Sequence, residues 1–274
     1  MNITKAVVPA AGHGTRFLPW TKAVPKELLP LLNKPAIHYI AQEIADAGLS
    51  ECIMISAPHK VALENYFKPA PELEKFLQEK GKSHLLSDID DLIQSLRFTY
   101  LYQEEAKGLG HAIHLARNNI SDEYFGILLP DDIMMSNPSG IKQLMEIAIK
   151  ENASVIAVQE VPHEKVSSYG IVAIKNQINS SLFEVSDLVE KPAPNNAPSN
   201  LAIIGRYVLS RNIFTSLQHL PPSAGGEIQL TDGIAHMLKS GQRVLAYTMH
   251  GSRFDVGTPA GWLEANLWLA QKQH

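Results

Sequence analysis

The segment from residue 6 to residue 19 constrains this chain more than any other. An apolar run, AVVP at residues 6–9, is typical of a buried strand and leads directly into a loop that contains Gly12 and Gly14. Small residues at the carboxyl end of a strand let backbone N–H groups approach a ligand closely. Two cations, Arg16 and Lys26, follow the loop. Backbone donors beside fixed cations suit a polyphosphate, which is our first hypothesis for this segment.

Three other interpretations compete with that hypothesis. The dinucleotide-binding pattern G-x-G-x-x-G fails because Phe17 stands where the third glycine is required. A Walker A loop fails because no Gly-Lys-Ser/Thr follows at the right spacing. An ordinary glycine turn after a strand stays open when this segment is considered alone.

The order of elements predicts an α/β fold with a Rossmann-like, mixed and mainly parallel sheet flanked by helices. Apolar runs alternate with helical periodicity in the first part of the chain, which is typical of parallel strands that bind ligands at their carboxyl ends. After residue 162 the spacing becomes hairpin-like and predicts a small antiparallel subregion. The predicted strands cover residues 3–10, 52–57, 98–102, 125–130, 153–161, 169–174, 183–189, 201–209 and 244–249. The predicted helices cover residues 35–48, 59–67, 71–77, 85–96, a stretch ending at 117, and residues 138–151, 210–219, 228–240 and 260–272.

Charge and cysteine content exclude several classes of function. The formal net charge of −4 gives no general attraction to nucleic acid or to an anionic membrane. The one cysteine, Cys52, lies in an apolar run and is expected in the core, and alone it can form neither an intrachain disulfide nor a cysteine-based zinc cluster. No apolar run is long enough to span a membrane, and the first residues lack a signal-peptide pattern. We therefore expect a cytoplasmic enzyme that binds neither nucleic acid nor membrane.

Two later segments carry side chains suited to a nucleotide and its metal. Gln103 follows a strand that we expect to be central, and its amide can both donate and accept, as recognition of a base edge requires. Gly108 would let the backbone approach a flat ring. Asp131 and Asp132 follow the strand at 125–130, where a carboxylate beside a polyphosphate is a candidate Mg²⁺ ligand. A solvent-facing loop and a helix cap remain open as alternatives.

A third segment suits a sugar phosphate. Glu190 can accept hydrogen bonds from two sugar hydroxyls, and the adjacent Lys191 can meet a phosphate. The pair is a weak signal alone, because charged pairs end strands routinely.

The longer string around the first loop resembles a known family. It comprises GHGTRFLP at residues 12–19, then Thr21 and Lys22, then PKELLP at residues 25–30. This string resembles the signature of the sugar nucleotidyltransferases, the sugar-nucleotide pyrophosphorylases. Within that family it is most similar to the bacterial uridylyltransferases that act on UTP and glucose 1-phosphate, and the resemblance extends from Lys5 to about Asn266.

The resemblance implies a fold, a reaction and a division of the chain. It implies the nucleotide-diphospho-sugar transferase fold in one domain, residues 1–274, with a nucleotide-binding half at about 1–135 and a sugar-phosphate-binding half at about 136–260. A helical insertion falls at about 70–97 and a C-terminal helix at 260–272. The implied reaction is Mg²⁺-dependent in-line attack of glucose 1-phosphate on the α-phosphorus of UTP, which yields UDP-glucose and pyrophosphate. The expected partners are these small-molecule substrates and further copies of the chain, in a homo-oligomer that is a dimer or a tetramer.

The family's motifs also imply site residues at the matching positions of this chain. The implied catalytic cations are Arg16, Lys26 and Lys191, and the implied Mg²⁺ ligands are Asp131 and Asp255. Asp131 is chosen over Asp132 because the first acid of the family's Leu-Pro-Asp pattern is the ligand. The implied nucleotide-binding residues are Ala10, Ala11, Gly12, Gly14, Thr15, Arg16, Lys26, Gln103 and Gly108. The implied sugar-phosphate-binding residues are Gly170, Glu190, Lys191 and Gly205.

Two features distinguish the chain within the family. The insertion at 70–97 resembles one found in the uridylyltransferase subgroup and favours UTP over dTTP. The tail departs from the usual Asp-Cys-Gly-x-Lys-x-Gly-Tyr pattern, since residues 255–262 are DVGTPAGW and the usual lysine is absent.

Two alternatives stay open. The substrate could be another nucleotide or hexose 1-phosphate, such as dTTP or galactose 1-phosphate, because a pocket discriminates one methyl group by only about 1–3 kcal/mol. A non-catalytic regulatory paralogue is the alternative from another class. A non-catalytic copy would be free to lose the charged residues of the family's motifs. This chain keeps five of them, namely Arg16, Lys26, Asp131, Lys191 and Asp255, which argues against that alternative.

Overall fold

The strands and helices follow the predicted order along most of the chain. A computed structural model describes residues 2–223 and 225–272. The strands in these ranges are β1 (Lys5–Pro9), β2 (Pro30–Leu31), β3 (Lys34–Pro35), β4 (Glu51–Ser56), β5 (Arg97–Tyr102), β6 (Tyr124–Leu128), β7 (Asp132–Met135), β8 (Ser154–Glu160), β9 (Gly170–Gln177), β10 (Leu182–Glu190), β11 (Leu201–Ser210), β12 (Val244–Thr248) and β13 (Ser252–Asp255). The α-helices are α1 (Ala36–Asp46), α2 (Val61–Asn65), α3 (Pro71–Glu79), α4 (Ser87–Ser95), α5 (Leu109–Leu115), α6 (Gly140–Glu151), α7 (Ile213–Gln218), α8 (Leu230–Lys239) and α9 (Pro259–Lys272).

The central sheet is mixed, as predicted, and the order of its strands is β5-β4-β1-β6-β11-β8-β12-β10-β9. The first four strands run parallel to one another. β11 lies antiparallel between β6 and β8, β12 runs parallel to β8, and β10 pairs antiparallel with both β12 and β9. The antiparallel part is thus larger than expected, because β11 enters the middle of the sheet.

Helices cover both faces of this sheet, which is why β1, β4 and β6 are largely apolar and buried. In β1, Ala6 and Val8 pack into one core cluster and Val7 packs into the other, as the two-residue period of a strand requires. The first cluster includes apolar side chains of α1, α6 and α9, and the second includes those of α5, α7 and α8. Cys52 lies in the first cluster as predicted, and burial raises the pKa of its thiol to about 12.

The two irregular regions predicted from the sequence are also present. The insertion after residue 70 forms α3 and α4, which each bury a single leucine. The predicted hairpin is formed by β9 and β10, and its register places Gly170 opposite Glu190.

Three features differ from the prediction. β5 lies at one edge of the sheet and is not a central strand, so Gln103 follows an edge strand. A short hairpin of β2 and β3 and a separate ribbon of β7 and β13 were not predicted. Both are short, and the alternation of apolar and polar residues that reveals longer strands is missing from them.

No helix in the described ranges is both long enough and apolar enough to cross a membrane.

The burial of His38 on α1 makes the fold sensitive to acid. Only 2 % of this residue is exposed; its Nδ1 lies 2.9 Å from the Tyr66 hydroxyl, and its Nε2 has no partner among the described residues. Burial, aided by the nearby Lys34, lowers the pKa of His38 from 6.5 to about 4. The unfolded chain therefore takes up a proton before the folded protein does as the pH falls.

We predict that His38 contributes stability above its unfolded pKa of 6.5 and that this contribution is lost as the pH falls toward 4. The loss between neutral pH and about pH 5 is about 2 kcal/mol. Urea unfolding at the two pH values measures it. His38→Asn keeps an amide that can bond to Tyr66 but cannot titrate, so the variant should lose less stability in acid. An equal loss in both proteins would contradict the prediction.

Candidate functional site

A cleft lies at the carboxyl ends of β1 and β6 and reaches the β9–β10 hairpin. It consists of two adjoining cavities of about 360 Å³ and about 450 Å³. The first cavity is lined by residues that follow β1, β5 and β6, including Gly12 and Gln103. The second extends to Asp255 at the end of β13. Asp131 and Glu190 line both cavities, so the two form one continuous cleft with these carboxylates at the junction.

The loop after β1 presents its backbone to the first cavity. Ala10 is buried, while Ala11 and Gly12 line the cavity. A Cβ atom built on Gly12 would meet no atom within 4 Å, so this side of the loop is open. Gly14 has a φ of 67°, a left-handed conformation that favours glycine, and turns the chain into a 3₁₀ turn that begins at Thr15. The loop therefore has the open backbone surface that the sequence led us to expect.

Two of the predicted cations, Arg16 and Lys26, come close to Asp131. Lys26 Nζ donates a hydrogen bond to Asp131 Oδ2 at 2.6 Å. Burial alone would lower the pKa of Lys26, but Asp131 and Glu27 outweigh it and the pKa is raised. Burial alone would raise the pKa of Asp131, but Lys26 outweighs it and the pKa is lowered. Both groups are therefore ionised near neutral pH, and the exposed Arg16 lines the second cavity beside them.

A buried ion pair supports the loop from behind. Lys60 Nζ, on a side chain only 3 % exposed, donates to the Ala10 carbonyl at 2.6 Å and to both Glu27 carboxylate oxygens at 3.0 and 2.9 Å. Its three N–H donors thus have three acceptors. Because Glu27 is the chain neighbour of Lys26, the pair fixes the loop and the Lys26 backbone together.

The two predicted metal ligands, Asp131 and Asp255, are brought together by the β7–β13 ribbon. A Cβ atom at Gly257 would lie 3.0 Å from Asp131 Oδ2 and 3.1 Å from Asp255 Oδ1, so both carboxylates border the same glycine. The Val256 N–H also donates to the Asp131 carbonyl at 2.8 Å. No group of three or more His, Cys, Asp or Glu residues suited to a metal occurs in residues 2–223 and 225–272. Any metal here would be held by these two carboxylates and by oxygens of a ligand.

Asp132, the neighbouring acid, is an internal anchor. Its Oδ1 accepts a hydrogen bond from Arg253 at 2.6 Å, and its Oδ2 accepts one from the Gly205 N–H at 2.8 Å. Burial raises its pKa, although Arg253 opposes the rise. The contact of Gly205 with the sugar phosphate stays a prediction, and its backbone N–H is engaged by Asp132. Gly205 is buried inside β11 and packs on Asp132, which lines the second cavity.

A buried arginine holds the turn that carries Asp131. The side chain of Arg206 is fully buried, and its Nε and Nη2 donate to the two Glu43 carboxylate oxygens at 2.8 and 2.7 Å. Its remaining donors bond to the carbonyls of Leu129 at 3.3 Å, Gly205 at 2.9 Å and Asp132 at 2.7 Å. All five guanidinium N–H groups are used. The carbonyls on either side of Asp131 are therefore fixed to one rigid group.

The end of the β9–β10 hairpin provides the predicted sugar-phosphate residues. Gly170 and Glu190 line the second cavity, and Glu190 Oε2 accepts a hydrogen bond from Thr231 Oγ1 at 2.7 Å. Lys191 lines the first cavity with a φ of 44°, and its Nζ lies 3.5 Å from Glu190 Oε1. The structure brings these three residues together, and Glu190 and Lys191 line the first cavity together with Gln103.

Gln103 and Gly108 also line the first cavity. Gln103 Nε2 lies 3.1 Å from the Gly108 carbonyl and 2.9 Å from His111 Nδ1. Gly108 has a φ of 91°, and a Cβ atom there would lie 2.7 Å from the Ile228 carbonyl, so only glycine fits without a shift.

Sequence reasoning missed the residues that support the cleft. They are Glu43, Lys60, Arg206, Thr231 and Arg253, the last of which lies over the Tyr169 ring at 5.7 Å. A charged residue inside an apolar run, such as Arg206 in LAIIGRYVLS, could have indicated such a supporting residue, because a buried charge requires a partner. The partners lie far away in the sequence and could not be inferred from local pattern.

The comparisons with known proteins agree on one family. The model of the family described as "Nucleotidyl transferase" matches residues 5–272. The UTP–glucose-1-phosphate uridylyltransferase of Bacillus subtilis is 46% identical over 271 residues, covering 99% of this chain and 92% of that protein. The same enzyme of Staphylococcus epidermidis is 47% identical over 99% of this chain and 93% of its own length.

Solved structures give the same result. A UDP-glucose pyrophosphorylase complexed with UDP-glucose has a TM-score of 0.90 and 38% identity, covering 99% of this chain and 100% of that one. A UTP-bound UGPase from Acinetobacter baumannii has a TM-score of 0.90 and 36% identity, covering 99% of this chain and 94% of that one.

We predict that Lys60→Met loosens the loop after β1. The substitution leaves the Glu27 carboxylate buried without its cation and frees the Ala10 carbonyl, at a cost of about 3–5 kcal/mol in the free energy of unfolding. Amide hydrogen exchange at residues 10–16 should become faster in the native state. The double variant Glu27→Gln, Lys60→Met removes both charges and should recover part of the lost stability.

Lys5→Met is the matched control for this prediction. Lys5 pairs at 3.3 Å with the buried Glu51 at the opposite, amino ends of β1 and β4, and Glu51 keeps Arg97 and Thr99 as partners. This control should leave exchange at residues 10–16 unchanged. Equal exchange in wild type and Lys60→Met would show that Lys60 does not support the loop.

Proposed function

Because the chain belongs to the nucleotidyl transferase family, we propose that it makes UDP-glucose and pyrophosphate from UTP and glucose 1-phosphate. The observation that carries the proposal is the convergence of charges on one cleft. The cations Arg16, Lys26 and Lys191 and the carboxylates Asp131 and Asp255 all line its two adjoining cavities. Such a cleft suits the joining of two polyanions, which is the physical problem of this reaction.

The reaction is a nucleotidyl transfer. A phosphate oxygen of glucose 1-phosphate attacks the α-phosphorus of UTP in line, and the bond from that phosphorus to the bridging oxygen of the β-phosphate breaks. The electron pair leaves with pyrophosphate. The attacking oxygen already carries negative charge, so no general base is required. Positioning and charge stabilisation supply most of the catalysis in such transfers.

We assign UTP to the first cavity and to the junction of the two cavities. The base lies against Ala11, Gly12, Gln103 and Gly108, whose backbone and amide groups line that cavity. The phosphates lie along the loop from Ala10 through Gly14 and Thr15, next to Arg16 and Lys26. Backbone N–H groups beside these cations supply the donors that a triphosphate and a departing pyrophosphate need.

Glucose 1-phosphate belongs in the second cavity under this proposal. Glu190 accepts hydrogen bonds from sugar hydroxyls, held by its bond from Thr231, and Gly170 faces it across the hairpin. Lys191 holds the attacking phosphate. The division assigns residues of about 1–135 to the nucleotide and residues of about 136–260 to the sugar phosphate.

We assign Mg²⁺ to the carboxylates of Asp131 and Asp255. The donor set fits the ion, because Mg²⁺ in nucleotide enzymes is commonly held by one or two carboxylates together with phosphate oxygens. When bound, the ion supplies positive charge that offsets the polyanionic substrates. Asp131 would hold it at the junction of the cavities, and Asp255 would hold it from the side of β13.

The proposal extends to assembly and location. Leu263 and Leu267 are 52 % and 57 % exposed at i, i+4 spacing on α9, an apolar face that supports association of identical chains as a dimer or tetramer. The cytoplasm is the proposed location, where UTP and glucose 1-phosphate are both available.

Release of pyrophosphate from purified protein tests the function. The protein is supplied with Mg²⁺, with glucose 1-phosphate or galactose 1-phosphate, and in turn with UTP, dTTP, CTP, ATP or GTP. We expect the highest kcat/KM with UTP and glucose 1-phosphate. A higher value with another pair would change the substrates. No release from folded protein that still binds UTP would favour a regulatory paralogue.

We predict that Asp255→Asn raises the Mg²⁺ concentration needed for half-maximal turnover by about tenfold, because the variant lacks one of two anionic ligands. Binding of Mn²⁺ in the presence of UTP, followed by electron paramagnetic resonance, should weaken in parallel. Asp90→Asn on α4 in the insertion is the control and should change neither measurement. An unchanged Mg²⁺ titration in Asp255→Asn would remove this residue from the metal site.

A further inference from the structure

The amide of Gln103 has a defined orientation. A backbone carbonyl can only accept a hydrogen bond, so the side-chain atom 3.1 Å from the Gly108 carbonyl must be the amide nitrogen. The same nitrogen lies 2.9 Å from His111 Nδ1. An amide nitrogen has two hydrogens, and these two partners use both of them.

His111 accepts one of these hydrogens only in one form. Its Nδ1 must carry a free electron pair, so the ring is neutral with its hydrogen on Nε2. Burial, aided by the nearby Lys107, lowers the pKa of His111, which agrees with a neutral ring near pH 7. The geometry of the three groups is thus mutually consistent.

One atom of the amide is left for a ligand. With both hydrogens of Nε2 engaged, Oε1 is the group that Gln103 can offer, and Gln103 lines the first cavity while only 8 % exposed. An oxygen there pairs with a ring N–H donor. Uracil has an N–H at position 3, whereas cytosine has a bare nitrogen there that would face the oxygen lone pair to lone pair. A site that leaves polar groups unpaired rejects the wrong ligand more strongly than an apolar pocket does.

We infer that His111 is a positioning residue that fixes the Gln103 amide and thereby selects uracil over cytosine. The inference rests on the proposed function, because it uses the placement of the base at Gln103. Without the acceptor on His111, the amide keeps only one of its two restraints, the Gly108 carbonyl. Rotation by a half turn would then present Nε2 to the base, which is the group that cytosine needs.

The selectivity between UDP and CDP measures this role directly. Their dissociation constants are determined by calorimetry, and kcat/KM is determined for UTP and CTP. His111→Phe keeps a ring but has no acceptor, and we expect the preference for uracil to fall about tenfold. His111→Asn offers an amide oxygen in place of Nδ1 and should keep most of the preference. The KM for glucose 1-phosphate should stay unchanged in both variants.

His114 provides the matched control on the same helix. It is also a histidine of α5, but it packs edge-on against Phe214 with ring centroids 6.4 Å apart, away from the cleft. His114→Phe should leave the ratio of UDP to CDP affinity at the wild-type value. His111→Leu also lacks the hydrogen-bond acceptor and has a smaller side chain. It replaces His111→Phe in the experiment if the phenylalanine variant does not fold.

Gln103→Leu separates this inference from the proposed function. If that variant and His111→Phe both lose the preference for uracil, the inference holds. If Gln103→Leu loses the preference and His111→Phe keeps it, His111 does not set the amide and the inference is overturned. If neither variant loses the preference, the base does not lie at Gln103, and the nucleotide placement fails together with the inference.

Discussion

The guanidinium of Arg206 is the interaction on which the cleft depends. It lies fully buried in β11 and bonds to Glu43 of α1 and to the carbonyls of Leu129 and Asp132. Glu43 also accepts a hydrogen bond from the Ile141 N–H at the start of α6. One side chain therefore joins a strand, two helices and the turn that carries Asp131. Buried ion pairs often stabilise a fold less than apolar residues of the same volume would, so its value here is the geometry that it imposes.

The ion pair of Lys60 and Glu27 fixes the backbone on the other side of the cleft, at the loop after β1. Both pairs are buried, and both bond to backbone carbonyls next to groups that face the cavity. The exposed cations Arg16 and Lys191 line the cleft surface, where Lys191 lies 3.5 Å from Glu190. This division explains how a chain with a net charge of −4 presents a site suited to polyanions. The arrangement of charged side chains in the cleft matters more for anion binding than the net charge of the chain.

Much of this architecture could be predicted from the sequence, and the remainder has a physical reason. The continuous apolar runs of β1, β4 and β6 identify strands covered on both faces, and the glycine-rich loop with its motif identifies the ligand-binding edge. The edge position of β5 could not be predicted, because strand order depends on contacts between distant segments. The contact between Gly205 and Asp132 could not be predicted for the same reason, since only the fold brings the two residues together. The partner of a buried charge such as Lys60 is likewise a matter of three-dimensional contact.

The ribbon of β7 and β13 has a consequence for how the protein is made. Its contact between Arg253 and Asp132 joins residues separated by 121 positions, and it brings Asp255 to Asp131. The strands that hold Asp131 and the first loop are translated long before β13 leaves the ribosome. During that interval the growing chain can form the parallel part of the sheet, but it has only one of the two paired carboxylates. Completion of the cleft is therefore a late event in synthesis, because Asp255 can join Asp131 only after β13 has emerged.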